Sequence, residues 1–156
     1  MISFDAIKIG GSATFIFKPF GNSISTTGVN AVAYVGFANT FTNFTPTIGI
    51  VWKYIYSPTT PVWTLFVDGV ATGTSYSGSA VAHWCRIVIT RTSSLGYSTT
   101  FTNLSTGTGA ITNTGTYSSL GNDFAIGFLW GNNASGTGEK EFNIDYFGMD
   151  LNAFGR

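Results

Sequence analysis

Charged side chains are scarce in this sequence. Of its 156 residues, seven are basic and seven are acidic, so that 9% are charged and the formal net charge is zero. An average soluble domain has about 25% charged residues. A protein that neutralises nucleic-acid phosphates needs a surplus of Lys and Arg. The composition therefore predicts no nucleic-acid partner.

Cysteine is nearly absent as well. With Cys85 alone the chain can form no internal disulfide, and the cysteine pairs of a zinc knuckle are missing. One His and one Cys supply too few ligands for a metal centre, so we expect no metal site of that kind and no cofactor. Calcium held by loop oxygens near Asp123 or in residues 131–138 stays open, although no EF-hand spacing supports it.

Long apolar runs are also missing. The longest stretches, 48–52 and 124–130, fall far short of the roughly 20 residues that a membrane-spanning helix needs. The N-terminus carries Asp5 and has no basic segment ahead of an apolar one. We therefore expect neither a membrane segment nor a signal peptide.

Small and neutral polar residues take the place of charge. Gly, Ser, Thr and Asn together occupy 69 positions, while 44% of the residues are hydrophobic and 16% aromatic. A chain of this size buries about 70% of its unfolded surface, which is enough for one core. Because no composition shift or charged linker divides it, we predict a single domain over residues 1–156.

Alternation of apolar and polar residues with a period of two recurs along the chain, whereas the helical period of 3.6 never persists. The segments are rich in β-branched and aromatic residues, as strands are. The pattern predicts an all-β fold whose strands cover approximately residues 2–9, 12–18, 31–38, 48–56, 62–67, 70–75, 81–90, 97–103, 109–114, 123–130 and 140–151.

Turn signals separate these segments. Asp68-Gly69 is typical of a two-residue hairpin, 57–61 (SPTTP) is bounded by prolines, and 131–138 (GNNASGTG) suits only a loop. A single sheet of ten or eleven strands would leave half of its apolar faces in water. Two antiparallel sheets packed face to face, a β-sandwich of the jelly-roll type, are therefore expected.

Two groups of reactive side chains are explained better by structure than by catalysis. The nearest approach to the paired carboxylates of a glycosidase is the group Glu139, Glu141 and Asp145. We interpret this group as the solvated edge of the last strand. His83 and Cys85 point the same way on one strand, with apolar neighbours that indicate core packing. We predict no catalytic residue and a non-enzymatic protein.

Aromatic residues are the remaining candidates for binding. Trp52 and Tyr54 share a strand face with isoleucines and are expected in the core. Trp84 and Arg86 face the opposite way from Ile87 and Ile89, so they are expected to point outward, where they could stack on a ligand ring. The candidate surface-contact residues are Trp84, Arg86, Trp130 and Lys53.

Four segments in order carry a family resemblance: GIVWKYIY, VWTLFVDGVATGTSYSG, VAHWCRIVITR and EFNIDYFGMDL. The third is similar to a W-x-x-[LI]-x-I strand, with Trp84, Ile87 and Ile89 in place. In this order the chain resembles the laminin-G-like form of the concanavalin A-like lectin and glucanase superfamily, which implies a jelly roll. The E-x-D-x-x-E strand of the glucanase branch is absent, which implies that glucanase activity is absent too.

The ending IDYFGMDLNAFGR and the abundance of Thr, Gly and Asn resemble domains on bacteriophage capsid-decorating proteins and tail fibres. Because the chain begins with Met and has no long shaft, we expect a stand-alone capsid decoration (cement) protein. Its expected partner is the major capsid protein or another virion protein, with a homo-oligomer left open, and its expected location is the virion, assembled in the host cytoplasm. The alternative is a carbohydrate-binding receptor or tail fibre domain that binds a glycan; a glucan hydrolase is the disfavoured third.

Overall fold

Strands account for nearly all of the described chain. The computed structural model describes residues 7–19, 31–38, 41–42, 45–46, 48–55, 62–77, 83–107, 110–118, 125–126, 129–132 and 142–150. Within these ranges there is no helix, and hence no helix that could cross a membrane. The strands are β1 (Ser12–Pro19), β2 (Ala31–Ala38), β3 (Phe41–Thr42), β4 (Thr45–Pro46), β5 (Gly49–Ile55), β6 (Val62–Val67), β7 (Val70–Ser77), β8 (Cys85–Arg91), β9 (Gly96–Asn103), β10 (Ile111–Thr116), β11 (Ala125–Ile126), β12 (Leu129–Asn132) and β13 (Phe142–Asp150).

The strands form two antiparallel sheets, which confirms the predicted β-sandwich. One sheet has the order β10-β9-β8-β1-β13, and the other has the order β11-β2-β5-β6-β7. β12 also pairs with β2, and β3 pairs with β4 in a small separate ladder. β11 and β12 continue one register along β2, since Ala125 lies opposite Ala38 and Leu129 opposite Tyr34. They therefore correspond to the one strand predicted over 123–130.

Side-chain alternation places the core between the sheets. Cys85, Ile87 and Ile89 of β8 are fully buried, whereas Arg86 between them is exposed. Large aromatic side chains fill the space between the two layers, and Trp63 lies 5.2 Å from Phe17 and 5.5 Å from Phe101, measured between ring centroids. The expected core positions Trp52 and Tyr54 are both fully buried.

A buried hydrogen bond between Trp52 and Thr99 joins the two sheets through the core. The Trp52 indole Nε1 donates to the Thr99 hydroxyl over 2.9 Å, from β5 to β9. Both residues are fully buried. Burying an indole N–H without a partner is costly, and this bond removes that cost for Trp52.

The Asp68-Gly69 turn forms as the sequence predicts. Both residues have positive φ, 50° for Asp68 and 78° for Gly69, which matches a type I′ hairpin. The Asp68 carboxylate accepts hydrogen bonds from the backbone N–H of Gly49 at 3.1 Å and of Ser118 at 2.6 Å. The turn residue thus also ties two other segments to the hairpin.

Two predicted strands differ from the structure. Residues 7–10, within and just after the strand predicted over 2–9, form a bend and a turn, with Gly10 at φ 91° and a bond from Gly11 N to Lys8 O. Arg91 Nη1 holds the Ile7 carbonyl at 2.7 Å, and this bond fixes the turn. The strand predicted over 81–90 begins at Cys85, so that His83 and Trp84 precede it.

Candidate functional site

The outer face of the five-stranded sheet has a broad uncharged part, which is bordered by Arg86 on β8 and Asp150 on β13. We call this part the neutral face. Its side chains alternate with core residues and therefore point away from the other sheet. It consists of Ser12, Thr14, Val88, Thr90, Ser98, Thr100, Thr102, Thr112, Thr114 and Thr116.

Strand register aligns these side chains into rows. Thr112 lies opposite Thr100, which lies opposite Val88, which in turn lies opposite Thr14. The hydroxyls of Thr100 and Thr112 are 3.1 Å apart and hydrogen-bonded. Cross-strand threonine pairs of this kind stabilise a sheet while leaving methyl and hydroxyl groups at its surface. The neutral face therefore offers hydrogen bonds and apolar contacts together.

A hollow of about 510 Å³ lies at one end of the neutral face. We call it the Trp84 hollow. Trp84 is half buried there, and the hollow also contains an apolar leucine and isoleucine beside a hydroxyl and a carboxylate. Its lining residues are Ile16, Trp84, Leu104, Ser105 and Asp145.

Local hydrogen bonds fix the position of Trp84, although it lies outside any strand. The Leu104 backbone N–H donates to the Trp84 carbonyl at 2.8 Å, and the Trp84 N–H donates to the Ser105 hydroxyl at 2.8 Å. These bonds couple Trp84 to the turn after β9. The aromatic side of the hollow is therefore held by the same turn that supplies its hydroxyl.

Asn103 organises that turn. Its Oδ1 accepts from the backbone N–H groups of Ser105 and Thr106 at 3.0 and 3.2 Å. Its Nδ2 lies 3.1 Å from the Tyr76 hydroxyl and 3.0 Å from His83 Nδ1, and it donates to both. The buried amide thus uses all of its hydrogen-bonding capacity. In this arrangement His83 Nδ1 is an acceptor, so a neutral ring carries its proton on Nε2.

A β-bulge brings Asp145 into the hollow. β13 pairs with β1 so that Tyr146 lies opposite Ile16 and Ile144 opposite Phe17, which leaves Asp145 as the extra residue. Bulges re-aim a side chain relative to the regular alternation. The exposed Asp145 therefore lines the hollow together with Ile16, its near neighbour across the sheet.

The four sequence candidates lie on different sheets. Trp84 and Arg86 face outward from the five-stranded sheet, as expected, with Arg86 exposed opposite Ile16. Lys53 belongs to the six-stranded sheet and is half buried, with Nζ 5.4 Å from the Tyr34 ring centroid and 5.3 Å from that of Phe66. Burial lowers the pKa of Lys53. The Lys53 amine thus lies over two aromatic rings of its own sheet, and its role as a contact residue stays a prediction.

The fourth candidate, Trp130, lies in β12 with its backbone opposite Ala33, and its side chain is outside the described residues. The proposed carboxylates Glu139 and Glu141 are likewise outside them, as are Asp123 and most of 131–138. Their predicted roles stay predictions.

Cys85 and His83 do not form a nucleophile and base. Cys85 is fully buried, and its Sγ contacts the His83 carbonyl oxygen at 3.6 Å instead of the imidazole. Burial raises the pKa of the Cys85 thiol to about 12, so the reactive thiolate does not form near neutral pH. His83 is partly exposed, which corrects its expected place in the core. Across the described ranges no three His, Cys, Asp or Glu residues are grouped to hold a metal ion.

No family model matches the chain, and the comparison with curated proteins yields no relative. A solved structure of a protein of unknown function from Shewanella oneidensis MR-1 is similar in fold, with a TM-score of 0.56 and 15% identity. The match covers 97% of this chain and spans 64% of that protein. At this identity the likeness shows the fold alone.

Two structures of scytalido-glutamic peptidase also match. One, with a transition state analog inhibitor, has a TM-score of 0.43 and 16% identity, covering 90% of this chain and 68% of that one. The other, with a peptide-based analog, has a TM-score of 0.34 and 12% identity over the same shares. Similarity at this level supports no inference about activity.

Sequence reasoning missed part of the Trp84 hollow. The sequence pattern indicates Asp145 only as a member of a carboxylate group, and it gives no sign that Leu104, Ser105 and Ile16 belong to a site. The Asn103-Leu104-Ser105 stretch carries a turn signal, because an Asn side chain often bonds the backbone two residues on. Nothing in the local sequence indicates that this turn meets Ile16 and Asp145.

Proposed function

We propose that this chain is a non-enzymatic structural protein of a virion, a capsid decoration protein that docks on a repetitive protein surface. The observation that supports the proposal best is the neutral face. In the described part of the five-stranded sheet, ten adjacent outward positions hold Ser, Thr or Val. The cores of protein interfaces are likewise depleted of charged residues.

The cost of desolvation explains why an uncharged surface is suited to binding a protein partner. A charged side chain that is covered by a partner loses its water, and the penalty often exceeds the gain from pairing. Threonine hydroxyls cost less to cover, and one that is exposed can exchange a hydrogen bond with water for one with the partner. A partner can therefore cover the neutral face without burying a charge, as long as Arg86, opposite Thr102, and Asp150, opposite Ser12, stay at the rim of the contact.

The Trp84 hollow adds a place for an anchoring side chain. Binding energy in protein interfaces concentrates in pockets that receive a few side chains, and aromatic residues are enriched there. In this proposal a side chain of the shell protein enters the hollow against Trp84, while the neutral face covers the surrounding surface. A lattice repeats the same site many times, so modest single contacts suffice.

Binding to assembled shells tests the proposal. The shells are made from the capsid protein encoded nearest to this chain's own gene, and the chain is co-sedimented with shells and with unassembled subunits. Wild type should bind the shells, also in salt of about 0.5 M, where surface ion pairs are screened. Thr100→Lys should weaken binding by roughly a hundredfold, because it buries an unpaired charge.

The matched control is Ser75→Lys, at an exposed position on β7 of the other sheet. It should leave binding unchanged. Shells carrying the protein should also melt at a higher temperature than bare shells, since a ligand of the assembled state stabilises it. Equal melting temperatures, release at moderate salt, or equal effects of the two substitutions would contradict the proposal.

The second candidate function is glycan binding, and the Trp84 hollow is the specific observation that favours it. A half-buried Trp can stack against the apolar face of a sugar ring, while Ser105 and Asp145 can bond its hydroxyls. A glycan array tests this with wild type, Trp84→Ala and the control Leu95→Ala, which changes an exposed loop side chain. Binding that is lost with Trp84→Ala alone would favour the glycan function, and an array without any signal would exclude the glycans tested.

A further inference from the structure

The last described strand, β13, stands at one edge of the five-stranded sheet. β13 is nine residues long and stands at the end of the strand order, where it pairs with β1. Among the described strands none pairs with its other edge. The backbone N–H and C=O groups along such an edge are available to another strand.

The side chains at this edge are apolar and exposed. Ile144 is 50% exposed, Tyr146 51% and Phe147 39%. The Phe147 ring lies 5.2 Å from the ring of the core residue Phe15, measured between centroids. Phe147 therefore continues the core to the side of the sandwich without being covered there.

The opposite edge is built differently. The outward residues of β10 are threonines, and its inward Asn113 donates to the Thr74 hydroxyl of β7 at 2.8 Å, across to the other sheet. The Tyr97 hydroxyl bonds the same Asn113 at 2.7 Å. Polar groups thus join the two sheets on the β10 side, while the β13 side presents apolar surface.

We propose that β13 pairs with β13 of a second copy of this chain, antiparallel about a twofold axis, so that the two five-stranded sheets become one. An antiparallel pair of identical strands is self-complementary, as a twofold interface must be. The bulge at Asp145 limits the regular segment to Tyr146–Asp150, whose centre is Gly148.

Pairing centred on Gly148 suits the side chains of this segment. It sets Phe147 opposite Met149 of the second copy, on the core side, where aromatic rings and thioethers make favourable contacts. Gly148 faces its own counterpart and adds no side chain there, and the Tyr146 ring of the same copy lies over it. Tyr146 lies opposite Asp150 of the second copy, and Asp145 stays outside the paired segment. Asp150 of the second copy comes next to Asp145 on the outer face, where both carboxylates stay in water. The two apolar Phe147–Met149 pairs on the core side are the reason for preferring a second copy to a charged partner.

The exposed aromatic area of β13 limits the affinity that can be expected for the dimer. If each aromatic side chain offers about 200 Å², the exposed parts of Tyr146 and Phe147 amount to roughly 180 Å² in each copy. This aromatic area is well below the roughly 800 Å² that each partner buries in a standard interface. Backbone pairing adds to it, but we expect a weak dimer that dissociates on dilution.

Sedimentation velocity of the purified chain, without any shell, tests the proposal from about 5 to 500 µM, a range that covers weak association. Wild type should shift from monomer to dimer as its concentration rises. Tyr146→Lys should weaken the dimer by about tenfold or more, because lysine on an edge strand opposes pairing. Thr112→Lys, on the β10 edge, is the matched control and should dimerise like wild type.

Hydrogen exchange of wild type at the two ends of this range needs no variant. Amides in 146–150 should exchange more slowly at high concentration, while those in 111–116 should not change. A wild type that stays monomeric throughout, equal effects of both lysine substitutions, or unchanged protection in 146–150 would overturn the proposal. The result does not depend on shell binding, so it is separate from the test of the proposed function.

Discussion

The hydrogen bond between Trp52 and Thr99 is the most informative single interaction to remove. Thr99→Val replaces the hydroxyl by a methyl group of similar volume, so that packing is retained and the bond is lost. The Trp52 indole N–H is then fully buried without its 2.9 Å acceptor. A buried donor left unsatisfied costs about 1–3 kcal/mol, and we expect the free energy of unfolding to fall by that amount.

Urea denaturation at pH 7 measures this loss, followed by the fluorescence of the buried tryptophans. The midpoint should fall while the slope with urea stays the same, because the surface exposed on unfolding is unchanged. Thr100→Val is the matched control, since its hydroxyl bonds only Thr112 at the surface, and it should change stability by no more than about 0.5 kcal/mol.

A double-mutant cycle assigns the loss to the hydrogen bond. In a Trp52→Phe background the indole N–H is gone. The loss of unfolding free energy caused by Thr99→Val should therefore be smaller there than in wild type, by at least about 1 kcal/mol. Equal midpoints for wild type and Thr99→Val would refute the reasoning. So would an equal cost of Thr99→Val in both backgrounds, which would show that the loss comes from packing.

Three further outcomes are expected. Ile89→Ala should reduce the free energy of unfolding by about 2–5 kcal/mol, because Ile89 is fully buried, and a urea midpoint equal to wild type would show that the assigned inner face is wrong. Burial raises the pKa of Cys85 to about 12 from 9.0, so above pH 9 the unfolded chain loses the thiol proton while the folded chain keeps it. The contribution of this thiol to the free energy of unfolding is therefore fully present well below pH 9 and should be lower by roughly 1.4 kcal/mol at pH 10. Cys85→Ala should remove this part of the decline between pH 8 and pH 10, and an unchanged decline would assign it to other groups. Gly49→Ala should prevent folding or reduce the free energy of unfolding by more than about 3 kcal/mol, since φ is 142° and a Cβ would collide with the Phe37 carbonyl. Gly73→Ala, at φ 82° in open space, should reduce it far less, and circular dichroism with urea denaturation measures both variants.

Local patterns predicted the strands well because strand formation depends on alternation within a few residues. β2 and β6 have the predicted ends, and the Asp68-Gly69 turn forms where the sequence places it. The turn at 7–10 was missed, because ISFDAIKI alternates like a strand. What decides its conformation is Arg91, more than 80 residues away, which bonds the Ile7 carbonyl.

The candidate site also depends partly on local alternation and partly on contacts between distant residues. Alternation alone sets Trp84 and Arg86 away from Ile87 and Ile89, and the structure places them so. Which residues meet Trp84 depends instead on strand order, since β1 lies between β8 and β13 and a bulge turns Asp145 toward Ile16. Sequence determined the all-β class, the inner and outer faces and the uncharged surface, because each follows from composition or a period of two. Tertiary structure alone decided the hollow, the Asn103 turn and the place of β13 at a sheet edge, because contacts between distant strands are set by packing of the two sheets as a whole.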